Sequence, residues 1–381
     1  KITTTQEEKI VMGVYVLNDG GYDSVDMLNN KSIGIGTAVD RESTDELIKK
    51  MGAGGFMAEY PEYSNIMELA QIDAAIMKTS SIEMIDEMGD FTGFASDVKL
   101  IYSGEFTIKV ATTEENVTDN YLSSDDVINV YISGIDSRGG INEVSRSDVN
   151  IIMSINKKTH NILMINTPRD YYVPLSISNG VRDKLTHAGV YGIECSRNTL
   201  EMLYGIQIDY YVKVNFSGFE KIIDSLGGVD VTLDYSATLS QAGNLTVHNG
   251  VNHFNGEQAL AFARERYAYS DGDRQRGRNQ MMIMEAAIKK ACSPAIISNY
   301  TSVLSEVSKN VITDMSYDFI ADLAQTQLND MAAWNITQIS VTGVGSYSST
   351  TYSMPGWSLY IMVPDEESVE NAREQIRDNY N

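Results

Sequence analysis

Cysteine, proline and histidine are scarce, at two, six and four in 381 residues. Two cysteines exclude a disulfide-dense secreted scaffold. Without CxxC spacing or a nearby His cluster, they also exclude a zinc module. Six prolines beside 29 glycines exclude a collagen-like or linker-dominated chain. Basic residues are in deficit, 29 against 52 acidic, for a net charge of −23, which argues against a broad nucleic-acid face. No apolar run approaches the ~20 residues of a membrane span. Hydrophobic residues nevertheless make up 43%, which excludes disorder.

The length predicts two domains with cores large enough to need no disulfide. The start at Lys1, with a polar KITTTQEEK stretch, fits the extracytoplasmic part of a longer precursor whose signal or anchor lies upstream. Trimming of a tag would look the same. Cys195 and Cys292 fit either one disulfide or two buried thiols, and since each falls on a predicted helix we expect buried thiols.

Charge is unevenly spread. Residues 1–120 carry 22 acidic and 9 basic side chains and one arginine, Arg41; residues 121–381 carry 30 acidic, 20 basic and 12 of the 13 arginines. Guanidinium forks match phosphate oxygens, so this asymmetry assigns anion handling to the second part. The acidic stretch 111–126 between them reads as a domain boundary.

In the first part, strands are predicted at 32–36, 55–61, 73–77 and 98–104, with helices at 43–51, 65–71 and 82–88. Alternation of this kind is α/β, and with no paired catalytic groups or glycine-rich phosphate loop it reads as an accessory or binding module. The second part opens with a strand at 127–134. A hairpin follows at 149–156 and 161–167, then helix 194–204, strand 208–214, helix 218–226 and strand 229–233. Helices over 259–266, 280–291 and 366–379 complete an α/β pattern with a mixed sheet.

Three clusters carry chemistry. Asp136 follows a strand and Asp148, after Arg146-Ser147, precedes one, so two carboxylates can meet at a sheet edge. Mg²⁺ accepts such a pair when substrate phosphates complete its shell, although ordinary turn and cap aspartates look identical in sequence. Thr167-Pro168-Arg169-Asp170 ends a buried-looking strand, where open α/β sheets place ligand groups. The third cluster puts five arginines (264, 266, 274, 276 and 278) among Glu265, Asp271 and Asp273. The arginine pair at i and i+2, followed by more across a glycine-containing loop, is read as wrapping a diphosphate rather than nucleic acid, because the run is short and interleaved with carboxylates.

These segments carry a family resemblance. GIDSR (134–138), SRSDVNIIMSIN (145–156), TPRDYYV (167–173), DKLTHAGVYG (183–192), IDYYVKVNFSGF (208–219), LGGVDV (226–231), NGEQALAFARER (255–266) and GDRQRGRNQ (272–280) follow in one order. Together they resemble the LytR–CpsA–Psr family of bacterial cell-envelope phosphotransferases, most strongly over 125–310. Asn279 stands where the family often has arginine.

The resemblance implies an α-β-α catalytic domain with a mixed central sheet over 122–381. Before it, 1–115 would form a smaller accessory α/β domain loosely like one lobe of a solute-binding protein. It implies Asp136 and Asp148 as ligands of Mg²⁺ or Mn²⁺. Arg146, Arg169, Arg264, Arg266, Arg276 and Gln280 would hold the pyrophosphate, with Asp136, Asp148, Arg146, Arg264 and Arg266 at the reacting centre. Arg274, Arg278, Asp271 and Asp273 are less securely placed, and His187 is read as structural. The implied reaction moves a glycan phosphate from a polyprenyl-pyrophosphate-linked wall polymer (teichoic acid or capsular polysaccharide) to peptidoglycan. The place would be the extracellular face of the cell membrane, with an N-terminal anchor outside this sequence. Binding or hydrolysis of the lipid diphosphate without transfer is the alternative. A transcriptional role is disfavoured by the acidity and the lack of a helix-turn-helix.

Overall fold

A computed structural model of the chain describes residues 3–36, 40–63, 72–86, 93–113, 121–135, 145–239, 244–265, 268, 272–296, 299–354 and 358–381. It divides into two compact units, Thr3–Thr112 and Thr113–Asn381.

The first unit holds β1 (Thr3–Leu17), β2 (Ile33–Gly36), α1 (Arg41–Gly52), β3 (Glu62–Tyr63), β4 (Ala74–Lys78), α2 (Thr79–Asp86), α3 (Phe94–Asp97) and β5 (Val98–Thr113). Its sheet runs β3-β2-β4-β1-β5. β1 escapes a sequence reading because its first half is polar, yet Ile10, Met12, Val14 and Val16 alternate inward and are buried. The strand expected over 55–61 is displaced. Glu59 makes an isolated bridge with Ser32, Pro61 has only a carbonyl to offer and gives it to Ile35 N (3.0 Å), and the strand is the pair Glu62–Tyr63. The helix expected at 65–71 lies outside the described residues.

In the second unit β6 (Val127–Ile135), β7 (Val149–Asn156) and β8 (Asn161–Asn166) form an antiparallel meander. There follow β9 (Tyr172–Pro174), β10 (Arg182–Lys184), α4 (Leu185–Ala188), α5 (Ile193–Tyr204), β11 (Tyr210–Asn215) and α6 (Phe216–Ser225). Next come β12 (Val229–Leu233), β13 (Ala237–Leu239), β14 (Leu245–Val247), β15 (Gly250–Phe254), α7 (Gly256–Arg264) and α8 (Gly272–Ala291). The chain closes with α9 (Tyr300–Asn310), β16 (Val311–Thr313), α10 (Tyr317–Asp330), β17 (Asn335–Ser340), β18 (Gly343–Ser348), β19 (Leu359–Pro364) and α11 (Glu366–Asn379).

The central sheet has the order β16-β11-β6-β7-β8-β17. β11, β6, β8 and β17 run parallel to one another, and β7 and β16 oppose them. Both faces are covered, which is why 149–165 reads as nearly continuous apolar sequence. Ile152, Leu163 and Ile165 face a core shared with Leu200 and Tyr204 of α5 and Val369, Ala372 and Ile376 of α11. The alternate residues Ile151, Ile162 and Met164 face Met281 of α8, with Met153, Ile155, Met284 and Ile288 half-buried around them.

α7 begins with a capping box, Asn255 accepting from Gln258 N while the Gln258 side chain accepts from Asn255 N. It ends at Arg264, two residues short of the expected end. α8 starts at Gly272, eight residues before the expected Gln280, so the expected glycine-containing loop is a helix. Gly277 argues locally against helix, but tertiary contact overrides it. Asn279 is fully buried and donates to Phe262 O (3.0 Å), fastening α8 to the last turn of α7. Cys195 lies buried on α5; Cys292 falls one residue beyond α8 and is partly exposed, and neither forms a disulfide.

Candidate active site

The parallel strands β11, β6, β8 and β17 end along one edge of the sheet, and the antiparallel β7 starts there. Asp148 precedes β7, and its N–H donates to Gly134 O of β6 (2.9 Å). Thr167–Asp170 follows β8 directly. The segment 184–187 lies against both, because Thr186 N donates to Arg169 O (2.8 Å) and Ser147 N to Thr186 O (3.1 Å). Three loops distant in sequence are thus joined through backbone groups.

Their side chains form a charged chain. Arg169 Nη1 donates to Asp148 Oδ1 (2.6 Å), and Thr186 Oγ1 donates to the same oxygen (3.3 Å). Lys184 Nζ meets Asp170 Oδ1 at 2.6 Å, with both side chains largely buried. Below them Thr167 Oγ1 and Tyr204 Oη lie 2.7 Å apart. Burial pushes the Tyr204 phenol well up, so it stays neutral.

Asp148, Thr167, Arg169 and Asp170 border a cavity of about 330 Å³. One wall is the strand edge, with Asp148, Asn166, Arg169, Asp170, Ser340 and Thr342; the other is the start of α8, with Arg274, Arg276, Gly277, Arg278 and Gln280. Gly277 permits the approach, since a Cβ there would collide with the Asn166 amide. Four arginines meet two aspartates on the cavity wall, a local excess of positive charge in a chain of −23. Three of the four lie in the first two turns of α8. A helix N-terminus is already positive, so cations there are unfavourable until an anion arrives.

Of the expected residues, Asp148, Arg169, Arg276 and Gln280 come together on this wall. Arg274 and Arg278, less securely placed by sequence, line it too, because in a helix they share one face with Gly277 and Met281 at i, i+3, i+4 and i+7. The pairing of Arg264 with Arg266 at i and i+2 lies outside the described residues, because Arg266 does. Arg264 is the last helical residue of α7, its guanidinium lies over the Phe216 ring at 4.3 Å, and it stands outside the cavity wall. Arg146 is 7% exposed and also outside that wall. Asp136, Arg266 and Asp271 lie outside the described residues, as does the side chain of Asp273.

His187 is structural, as expected. Its Nδ1 contacts Asp183 Oδ1 (2.7 Å) and Ser353 Oγ (2.8 Å), while Ser353 N donates to Asp183 Oδ2 (2.7 Å). Burial alone would raise the Asp183 carboxyl, but the hydrogen bonds from His187 and Ser353 outweigh it and hold it below its ordinary value. Sequence reasoning missed Lys184, Thr186, Gln338, Ser340 and Thr342. Lys184 and Thr186 alternate on one short segment inside a quoted motif, a signal that was available. The residues at the end of β17 carried none.

The sequence model described as the LytR_cpsA_psr family matches residues 98–373, most of the chain. The chain belongs to the LytR–CpsA–Psr family. Among curated members, it is 34% identical over 197 residues to a Bacillus cereus polyisoprenyl-teichoic acid–peptidoglycan teichoic acid transferase TagU, a match covering 50% of this chain and 62% of that protein. To the TagU of Halalkalibacterium halodurans it is 33% identical over 247 residues, covering 65% and 77%. The chain thus spans less than two thirds of the length of the Bacillus cereus relative. Among solved structures of the family, Bacillus subtilis TagV superposes with a TM-score of 0.57 at 27% identity, covering 68% of this chain and 98% of TagV. TagT bound to LIIa-WTA superposes with a TM-score of 0.54 at 27% identity, covering 67% and 91%. The expected α/β class with a mixed central sheet agrees with these neighbours.

Asp148 fits one ligand of a hard divalent cation. Both of its hydrogen bonds fall on Oδ1, and among the described residues Oδ2 takes no protein donor. No group of three metal-ligating side chains occurs among the described residues. Among the described residues, no helix is long and apolar enough to cross a membrane.

Proposed function

We propose that residues 122–381 form a phosphotransferase domain that moves a glycan phosphate from a polyprenyl diphosphate to a peptidoglycan hydroxyl. The four-arginine cavity at the strand ends carries this reading. An acceptor oxygen bonds to the glycan-side phosphorus, the bridging P–O bond breaks, and polyprenyl phosphate leaves. Arg169, Arg274, Arg276 and Arg278 surround the charge that develops on the leaving phosphate, and Gln280 orients a phosphate oxygen by hydrogen bonding. The acceptor proton passes to water or to a cavity carboxylate, both of which are already ion-paired, Asp170 with Lys184 and Asp148 with Arg169.

Asp148 Oδ2, with Asp136, would hold Mg²⁺ or Mn²⁺, which supplies charge neutralisation to the diphosphate. The half-buried row Met153, Ile155, Met284 and Ile288 between sheet and α8 suits the prenyl tail. Teichoic acid as the polymer follows from the names of the relatives. A substrate with a prenyl tail and a wall acceptor supports an extracellular position at the bacterial membrane. Residues 1–115, with a single arginine, are the accessory part.

The test is incubation with a polyprenyl-diphosphate glycan, peptidoglycan and Mg²⁺. Covalent attachment of the glycan to peptidoglycan supports transfer. Release of glycan phosphate without attachment would leave a pyrophosphatase, and no turnover at all a binding protein.

A further inference from the structure

Residues 331–364 contain no charged side chain, where the chain's 21% average would place about seven. The stretch carries ten serines and threonines and includes β17, β18 and β19. β18 and β19 pair antiparallel, with Tyr347 opposite Tyr360, Gly345 opposite Met362 and Gly343 opposite Pro364. Residues two apart on a strand share a face, so both tyrosines lie on the face of Met362. Met362 lines the arginine cavity. The tyrosine pair therefore extends the cavity's rim by two residues of strand, about 7 Å.

The pair is open. Tyr347 is 71% and Tyr360 41% exposed, and their rings meet edge to face with centroids 5.8 Å apart. Gly345 sets the attitude of Tyr360, since a Cβ there would fall 2.8 Å from its Oη and 3.0 Å from Cε2. The ring thus lies over the glycine, along the strand toward the cavity.

We propose that Tyr347 and Tyr360 form a stacking subsite for the sugar rings of the acceptor glycan strand, leading its hydroxyl into the arginine cavity; this rests on the transferase reading above. Aromatic faces receive the C–H edges of pyranose rings. Charge decides between the two glycans of the reaction. A teichoic acid donor is a polyanion and calls for cations, which this stretch lacks, whereas the amino-sugar backbone of the acceptor is carried by an uncharged, hydroxyl-rich surface. The same lack of Lys and Arg disfavours docking on anionic lipid.

The intact chain is titrated, without donor, with soluble peptidoglycan glycan-strand fragments. Tyr347→Ala and Tyr360→Ala should each weaken fragment binding about tenfold, while Tyr347→Phe and Tyr360→Phe, which keep the ring, stay within about threefold. In the transfer assay the alanine variants should raise the acceptor KM about tenfold with kcat within about twofold. Fragment binding unchanged in the double alanine variant would overturn the subsite. So would loss of binding to phosphatidylglycerol vesicles in place of loss of fragment binding. Fragment binding is read without catalysis, so an inactive transferase and a wrong subsite give different results.

Discussion

Arg169 and Asp148 are joined by a 2.6 Å hydrogen bond that ties the loop after β8 to the residue before β7. Their side chains are only 14% and 13% exposed. The bond occupies Oδ1 of the carboxylate and leaves Oδ2 without a protein donor among the described residues. One guanidinium thus serves both as a wall of the cavity and as the positioner of its carboxylate.

Replacing Arg169 by alanine should lower stability by about 2–4 kcal/mol, somewhat below the cost of stranding a fully buried charge. Asp148→Asn should remove much of that penalty when combined with it, because the charge left unpaired is then gone. Urea unfolding of the two single variants and the double one measures the coupling. Strictly additive losses would mean the pair is incidental.

The arginines should be graded by position on the cavity wall. Arg276→Ala should cost a charge-assisted hydrogen bond to phosphate, about 1.5–3 kcal/mol, or roughly 10- to 150-fold in turnover of a short-chain lipid diphosphate. Lysine should rescue only in part, since it keeps the charge and loses the fork. Arg274 and Arg278 look peripheral from sequence, but they line the same wall and should lose more than Arg264, which is stacked on Phe216. Arg377→Ala on α11, paired with Glu370 on the same helix, should leave turnover unchanged. Equal losses at Arg264 and Arg276 would point to a diffuse field instead of a shaped wall.

Gly277→Ala should destabilise the unit by about 1–3 kcal/mol, as expected when an added methyl meets a packed neighbour. The neighbour is the Asn166 side chain, so Asn166→Ala in the same chain should recover much of the loss. Thermal unfolding of the three variants tests this. Without recovery, α8 would be held off β8 by something other than that contact.

Asp183 should contribute to acid stability. Its folded-state value lies below the ~3.9 of an unfolded aspartate, so its contribution is present above that pH and is lost as pH falls through the folded value. Asp183→Asn should therefore lower Tm at pH 7 and flatten its fall below about pH 4. A parallel displacement of the whole Tm-against-pH curve would show that the carboxylate's ionisation plays no part. His187→Gln should lose part of the same effect, because His187 supplies one of the hydrogen bonds.

Local pattern made much of the molecule legible. β6, the β7–β8 hairpin, α5 and α11 stand where alternation and helical spacing put them, because their period survives packing on either side. Motif text picked out Asp148, Arg169, Arg276 and Gln280 for the same site. β1 was invisible because TTTQEEK reads as a polar start, and the early start of α8 was invisible because arginines and a glycine read as loop.

Sequence alone thus determined the class and the family: the motif blocks, with their guanidinium groups and carboxylates, were present in order and spacing before any contact was known. Tertiary structure decided which of them meet. Arg274 and Arg278 joined the cavity because buried Asn279 and the clearance at Gly277 hold α8 as a helix against β8. Arg264 was turned to Phe216, and Tyr347 was placed opposite Tyr360 on the face of Met362. Proximity across 100 or more residues depends on strand order and packing, and neither is written in the spacing of any one segment.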